Sequence, residues 1–263
     1  MNLGLKNKIA LVTASSKGLG RASAETLAQE GAKIAICARD GKVLKATADE
    51  IAGATRSEVL AIPADVNSSR DIERVVKETV KHFGKLHILV TNAGGPPAGY
   101  FAEFDDKQWQ EAFNLTMMSA VRLIRTAIPH MQKEKWGRII NITSSSVKEP
   151  VDNLILSSSI RAAIHGMAKT LANQVAQDGI TVNNVMPGYI LTDRMRQLAQ
   201  DTAERTGQAV TDVLAELGQP TPVGRIGHPK ELGALVAFLA SEQAAYINGV
   251  SIPVDGGRTK SVF

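Results

Sequence analysis

Short apolar runs alternate along the chain with longer segments of helical period, and this alternation constrains the fold more than any other feature. The runs are Lys8–Thr13, Lys33–Ala38, Val59–Ile62, Leu86–Thr91, Arg138–Thr143, Thr181–Val185 and Val250–Val254. Helical patterns lie between them, near 18–30, 41–53, 69–83, 107–133, 154–177 and 229–240. Strands that are apolar throughout, separated by helix-length segments, predict a parallel sheet covered on both faces. Right-handed crossovers make it a doubly wound seven-stranded α/β sheet. No repeat, low-complexity tract or linker divides the 263 residues, so 1–263 reads as a single domain. Residues 193–218 depart from the alternation, being helical in period but polar, and they fall between the last two strands. They read as a lid over a ligand crevice, spanning about 190–220; the competing reading is a solvated helical excursion.

Composition excludes several classes of function. The net charge of +4 is modest and spread along the chain, which gives no basic patch for nucleic acid. No apolar stretch reaches the roughly 18 residues that span a bilayer, and the first eight residues do not resemble a signal peptide. The single cysteine, Cys37, sits inside an apolar run and reads as a reduced core residue of a cytoplasmic protein. No His, Asp or Glu cluster has metal-ligand spacing, so no metal is expected.

The stretch Ile9–Gly20 carries the first chemistry. A buried strand runs into a turn of small residues, Ser15-Ser16-Lys17-Gly18-Leu19-Gly20, that opens a helix. Such a turn offers backbone N–H groups at the positive end of the helix, where a phosphate binds. Its glycines permit the close approach that a Rossmann-type dinucleotide turn needs. The second strand ends in Ala38-Arg39, without the acid that would hold a ribose 2′-hydroxyl. Arg39 and Lys17 are instead placed to pair with a 2′-phosphate, which favours NADP(H) over NAD(H). Asp40, one residue on, is placed to neutralise Arg39, and that alternative stays open.

These motifs, in order, resemble the short-chain dehydrogenase/reductase family, and the pattern is nearest to the 3-oxoacyl-[acyl-carrier-protein] reductase-like members. Thr13–Gly20 is similar to the TGxxxGxG turn, with Ala14 in place of its first glycine. If that residue needs φ > 0, its methyl group costs roughly 1 kcal/mol or more. The resemblance implies that Asp65 and Val66 contact adenine. Asn92-Ala93-Gly94 matches the NAG motif beside the adenine ribose, and Pro187-Gly188 with Ile190 and Thr192 matches the segment that touches the nicotinamide amide. Asn114 falls where the family holds a proton-relay water, and Val254–Gly257 matches the C-terminal DGG. The resemblance also implies a homotetramer, or a homodimer, with the helices near 107–133 and 154–177 pairing across a two-fold axis.

The family's acid–base device is where the chain departs. Ser144 matches its serine, but thirteen residues on stands Ser157 rather than tyrosine, and four beyond stands Arg161 rather than lysine. A phenol of pKa about 10 needs roughly 4 kcal/mol to titrate near neutrality, whereas an alkyl hydroxyl, nearly as weak an acid as water, needs roughly 11. Ser157 does not replace the phenol as an acid. Arg161 keeps its charge and is expected to hold the nicotinamide ribose or an anionic substrate. Tyr189, Lys148 and His165 are the other candidates for proton donor; Tyr100 and Tyr246 are the remaining tyrosines. Three readings follow: a carbonyl or alcohol oxidoreductase, acting on a small molecule or acyl thioester with Ser144, Asn114, Ser157 and Arg161 at its centre; a nucleotide-binding protein without redox turnover; or a reductase of a conjugated double bond.

Overall fold

The computed structural model describes residues 2–262. Its strands are β1 (Ile9–Val12), β2 (Lys33–Ala38), β3 (Val59–Pro63), β4 (Ile88–Thr91), β5 (Gly137–Ile142), β6 (Ile180–Pro187) and β7 (Ser251–Val254). All seven pair in parallel in one sheet of order β3-β2-β1-β4-β5-β6-β7, the doubly wound arrangement expected from the alternation. β1, β4 and β5 are buried along their whole length. Pro63 and Pro253 lie in the edge strands β3 and β7, where the missing N–H leaves no ladder bond unmade.

Helices α1 (Gly18–Gln29), α2 (Gly41–Thr55) and α9 (Pro229–Ala240) cover one face; α3 (Ser69–Phe83), α5 (Ser119–Glu134) and α6 (Ile155–Val175) cover the other. Within β1 the strand period separates the two cores: Ala10 and Val12 join Leu27, Ile34 and Val236, while Leu11 joins Ile72, Leu123 and Ile139. The segment 107–133, expected as one helix, is divided. α4 (Asp106–Phe113) is capped by Asp105 and Gln108 and passes through a π turn, Asn114–Met118, before α5 begins. One turn of wider pitch re-aims the helix, and such turns concentrate at functional sites.

α7 (Asp193–Thr206) and α8 (Val210–Gly218) occupy the polar insertion and pack on each other through Ala199, Ala203 and Val213. A polar ladder crosses the interior of the sheet. Thr91 Oγ1 donates to Asn141 Oδ1 (2.7 Å), Asn141 Nδ2 to Asn184 Oδ1 (2.9 Å), and Asn184 Nδ2 to Ser251 Oγ (3.0 Å). The four residues are direct register partners on β4, β5, β6 and β7. Among the described residues, no helix is long and apolar enough to cross a membrane, and no cluster of His, Cys, Asp or Glu has metal-binding geometry.

Candidate active site

The chain leaves β1 toward β2 on one side and β4 lies on the other, so the crevice at their carboxyl ends is the switch point where such sheets bind ligands. A cavity of about 720 Å³ opens there, lined by Ala14, Ser16, Lys17, Arg39, Asp65 and Gly94 among others. Thr13 and Ser15, expected at the cofactor, are fully buried. Thr13 Oγ1 donates to Asn92 O (2.7 Å) and accepts from Asn92 N (2.8 Å). Ser15 Oγ donates to Val12 O (2.7 Å) and accepts from Cys37 N (3.2 Å). Both side chains build the turn from inside and take no place in the cavity wall, which Ser16 and Lys17 line. Asn92 Nδ2 also donates to Ala14 O (3.2 Å), which ties Asn92-Ala93-Gly94 to the turn.

Ala14 has φ 46°, the left-handed conformation anticipated for this position. Ala14→Gly is therefore expected to stabilise the fold by up to about 1 kcal/mol, strain relief exceeding the entropy lost; urea unfolding checks it. Gly20 is required by contact rather than by φ, because a Cβ there would lie 2.5 Å from Ala14 O. Lys17 stands at the N-cap of α1 and makes no side-chain cap, so the N–H groups of the first turn stay free for an anion. Leu19 is half-buried against the core.

Lys17 and Arg39 are exposed, with no ion-pair partner among the described residues. Asp40 is engaged elsewhere: its Oδ1 accepts from Lys42 N (2.9 Å) and Val43 N (3.1 Å) and caps α2. It makes no ion pair with Arg39. Asp65 and Val66 line the far wall of the cavity. The end of β6 approaches from the other side. Gly188 N bonds Val254 O, Ile190 is buried and bridged to Gly227, and Pro187 closes the strand. Thr192 caps α7 through Met195 N (3.3 Å), and its methyl lies 3.5 Å from the Cβ position of Gly18. Ser16, Lys17, Arg39, Asp65, Val66 and Gly94 thus share one cavity, while Ile190 and Thr192 line two others.

Arg161 lies on α6 against the carboxyl end of β5. Its Nε donates to Ser157 Oγ (3.2 Å), four residues back on α6, and its Nη1 donates to Ile142 O and Thr143 O (both 3.1 Å) at the end of β5. The residue after Thr143 is Ser144, whose Oγ accepts from Ser146 Oγ (2.8 Å) and Ser146 N (3.2 Å). Arg161 is 7% exposed. Burial, with the nearby Arg194, lowers its guanidinium to about 10, so it stays cationic at neutral pH. Asn114 lies half-buried in the π turn, its Oδ1 accepting from Gln110 Nε2 (3.3 Å).

Among the alternative donors, His165 and Tyr189 are engaged by neighbours, and Lys148 stands next to Ser144. His165 bonds Thr143 Oγ1 through Nε2 (2.9 Å) and Ser251 Oγ through Nδ1 (3.1 Å), and burial pushes its pKa down to about 4. Tyr189 carries the Arg258 guanidinium over its ring at 4.1 Å and lines a separate cavity with Arg225 and Glu231. Tyr100 and Tyr246 are exposed. Lys148 is half-buried in the turn after Ser144. Arg194, which sequence reasoning missed, reaches across the crevice: its Nη1 lies 3.1 Å from the Cβ position of Gly95. The sequence reading of Thr192 as part of the nicotinamide segment gave no hint of that crossing.

Residues 13–259 match the family model described as enoyl-(acyl carrier protein) reductase. The chain is 36% identical over 255 residues to 3-oxoacyl-[acyl-carrier-protein] reductase FabG of Escherichia coli, covering 97% of this chain and 98% of that one. It is 34% identical over 258 residues to D-beta-hydroxybutyrate dehydrogenase of Rhizobium meliloti, covering 96% and 98%. Among solved structures, L-sorbose reductase from Gluconobacter frateurii, complexed with NADPH and L-sorbose, superposes with a TM-score of 0.97 at 34% identity over 100% of both chains. YwfH, an NADPH-dependent reductase involved in bacilysin biosynthesis, superposes with a TM-score of 0.92 at 28% identity, covering 98% of this chain and 100% of that one. With this sheet, this turn and these relatives, the chain belongs to the short-chain dehydrogenase/reductase family of oxidoreductases.

Proposed function

We propose that this oxidoreductase is an NADPH-dependent reductase of carbonyl substrates, small or thioester-bound, in which a guanidinium-backed hydroxyl replaces a phenolic acid. The observation that carries the reading is the bond from Arg161 Nε to Ser157 Oγ. Because the guanidinium donates to that oxygen, the Ser157 proton is free to point at a substrate oxygen. A cation behind the hydroxyl polarises it, and hydrogen bonds in such a chain strengthen one another. Ser157 and Ser144 then receive the negative charge that develops on the substrate oxygen, as donors fixed in advance. Bound NADPH supplies the hydride. Ser157 keeps its proton, since nearby charges move an acid by only about 1–3 pH units, and the product takes its proton from water. Asn114, in the π turn, is assigned to order that water.

Thr13–Gly20, Asp65, Val66, Asn92–Gly94 and Pro187–Thr192 are assigned to the dinucleotide, with Arg161 at its nicotinamide ribose. Lys17 and Arg39 are assigned to the 2′-phosphate. Their exposure, free of ion-pair partners, supports this, as do the NADPH-bound neighbours. Arg39→Ala is expected to weaken NADPH roughly 10–100-fold, the worth of a charged hydrogen bond, with NADH unchanged; fluorescence titration with both nucleotides decides it. α7 and α8 act as the lid. The apolar groove of Val121, Ile124, Ile128, Met167 and Leu171 between α5 and α6 supports pairing of subunits in a cytoplasmic homotetramer.

A second reading, reduction of a conjugated carbonyl double bond, is favoured by the absence of a phenol. There the oxygen needs only stabilisation while the proton goes to carbon. Following NADPH oxidation against acetoacetyl thioesters, simple ketones and enones tests both. Turnover of enones alone selects the second; NADPH binding without oxidation of any acceptor overturns both and leaves a nucleotide-binding protein.

A further inference from the structure

Two residues one turn apart on α6 hold the residue that precedes Ser144. Ser157, Arg161 and His165 follow at four-residue spacing and so share one face of the helix. Arg161 Nη1 donates to the carbonyl of Thr143 (3.1 Å), and His165 Nε2 bonds its hydroxyl (2.9 Å). The same hydroxyl donates to Val185 O (3.2 Å), which also accepts from Thr143 N (2.8 Å). Thr143 is thus tied through its amide, its carbonyl and its side chain, and Ser144 is the next residue. The other nitrogen of the ring, Nδ1, lies 3.1 Å from Ser251 Oγ on β7.

The direction of these bonds follows from their protons. Ser251 Oγ accepts from Asn184 Nδ2 (3.0 Å), so its own proton is left for His165 Nδ1. A proton on Nδ1 instead would leave the Ser251 hydroxyl without an acceptor among the described residues. Thr143 Oγ1 has one proton, which Val185 O takes, and the oxygen then accepts from Nε2. The ring is therefore neutral, with its proton on Nε2. Burial, with Lys148 and Arg161 nearby, opposes a second proton. The path runs unbroken from Thr91 through Asn141, Asn184, Ser251 and His165 to Thr143. It leaves β4, crosses to β7 and returns through α6 to the end of β5.

We propose that His165 is a positioning residue of the reductase: as a neutral Nε2–H donor it pins Thr143 and so fixes Ser144 against the Ser157–Arg161 pair. The inference deepens the reductase reading and rests on it. Ser144 and Ser157 come from different elements, and donors to a developing charge are effective only when both stand in place beforehand. At the end of β5 Arg161 meets backbone carbonyls, which leaves the Thr143 side chain, and the turn that follows it, to His165. A histidine suits this place because its two nitrogens reach two hydroxyls, one beyond β5 and one on β7, with β6 between them. An aliphatic side chain at 165 would pack there but serve neither hydroxyl.

The test separates positioning from stability. Reduction of an acetoacetyl thioester by NADPH is followed, well below the unfolding transition, for Thr143→Val, Thr143→Ser, His165→Leu, and Thr143→Val combined with His165→Leu. Thr143→Val and His165→Leu are each expected to lower kcat about 10–100-fold, with KM and NADPH affinity within about threefold. The combined variant should be no slower than the worse single one, because both changes break the same bond. Thr143→Ser, which keeps the hydroxyl, should retain most of the rate. NMR of the ring nitrogens should find the His165 proton on Nε2 at neutral pH. An unchanged kcat in either single variant overturns the inference, as do losses that multiply in the combined variant or a proton found on Nδ1. If His165→Leu does not fold, the two Thr143 variants and the NMR measurement decide alone. Failure of the unaltered protein to oxidise NADPH with any acceptor is read separately, and it overturns the reductase reading and this inference with it.

Discussion

Carbonyl reduction by NADPH is expected to rise roughly 10²–10⁴-fold, the usual contribution of a positioned general acid, when Ser157→Tyr is combined with Arg161→Lys. The two positions share a face of α6 and already touch, so a phenol at the first would lie beside an ammonium at the second. That ammonium supplies part of the roughly 4 kcal/mol needed to bring a phenol toward neutrality. Neither single change should suffice. Ser157→Tyr alone would set the phenol against a guanidinium held back by Ile142 O and Thr143 O. Arg161→Lys alone gives up the forked bonds to those carbonyls while Ser157 remains too weak an acid. The measurement is kcat/KM on an acetoacetyl thioester, with NADPH affinity followed in parallel. No gain in the double variant, with NADPH affinity retained, would show that the site lacks more than its acid.

The second large effect is loss of stability in mild acid. His87 and His165 each have a pKa lowered from 6.5 to about 4, chiefly by burial, with cations nearby adding to it: Lys8 and Lys85 at His87, Lys148 and Arg161 at His165. Geometry agrees, because His87 Nδ1 accepts the Ile9 N–H at 3.0 Å, a bond that protonation removes. A histidine kept neutral by folding binds its proton more readily in the unfolded chain. Its contribution is therefore intact above pH 6.5 and lost as pH falls from there through about 4. Both groups titrating together are expected to cost roughly 3 kcal/mol of unfolding free energy between about pH 7 and pH 5. Glu58, Asp71 and Glu231, whose pKa values are lowered by hydrogen bonds and ion pairs, add their losses only at lower pH. Urea unfolding across that range checks the slope; a flat profile would remove both histidines from the account.

The strands were legible because a parallel sheet buries both faces, and runs such as Ile34–Cys37 have no other place to go. Their boundaries moved by a residue or two where pairing rather than hydrophobicity decides them, as at His87, whose ring serves Ile9 just before β4 begins. The π turn at Asn114 left no trace in the pattern, since one wider turn changes neither residue type nor apolar period. Residue identity pointed to the crevice at Thr13 and Ser15, but it could not show that both hydroxyls face inward. The role of Asp40 was open until its carboxylate was seen capping α2. Arg194 was invisible for the same reason: Gly95, across the crevice, is far away in the chain and offers no side chain to pair with.

The ladder Thr91–Asn141–Asn184–Ser251 has a consequence for how the sheet assembles. Each amide accepts on one side and donates on the other, so the row has a direction and fits only one set of neighbours. A slip of β6 by a single residue would turn Asn184 to the opposite face and oppose Asn141 with Asn183 or Val185. Every buried amide left unpaired would then cost about 1–3 kcal/mol. Apolar strands such as IINI and ITVNNV are otherwise nearly interchangeable in a sheet core. Polar residues placed in the middle of these strands thus reject misassembled sheets, and they deliver the ends of β5 and β6 to the same crevice at matching heights.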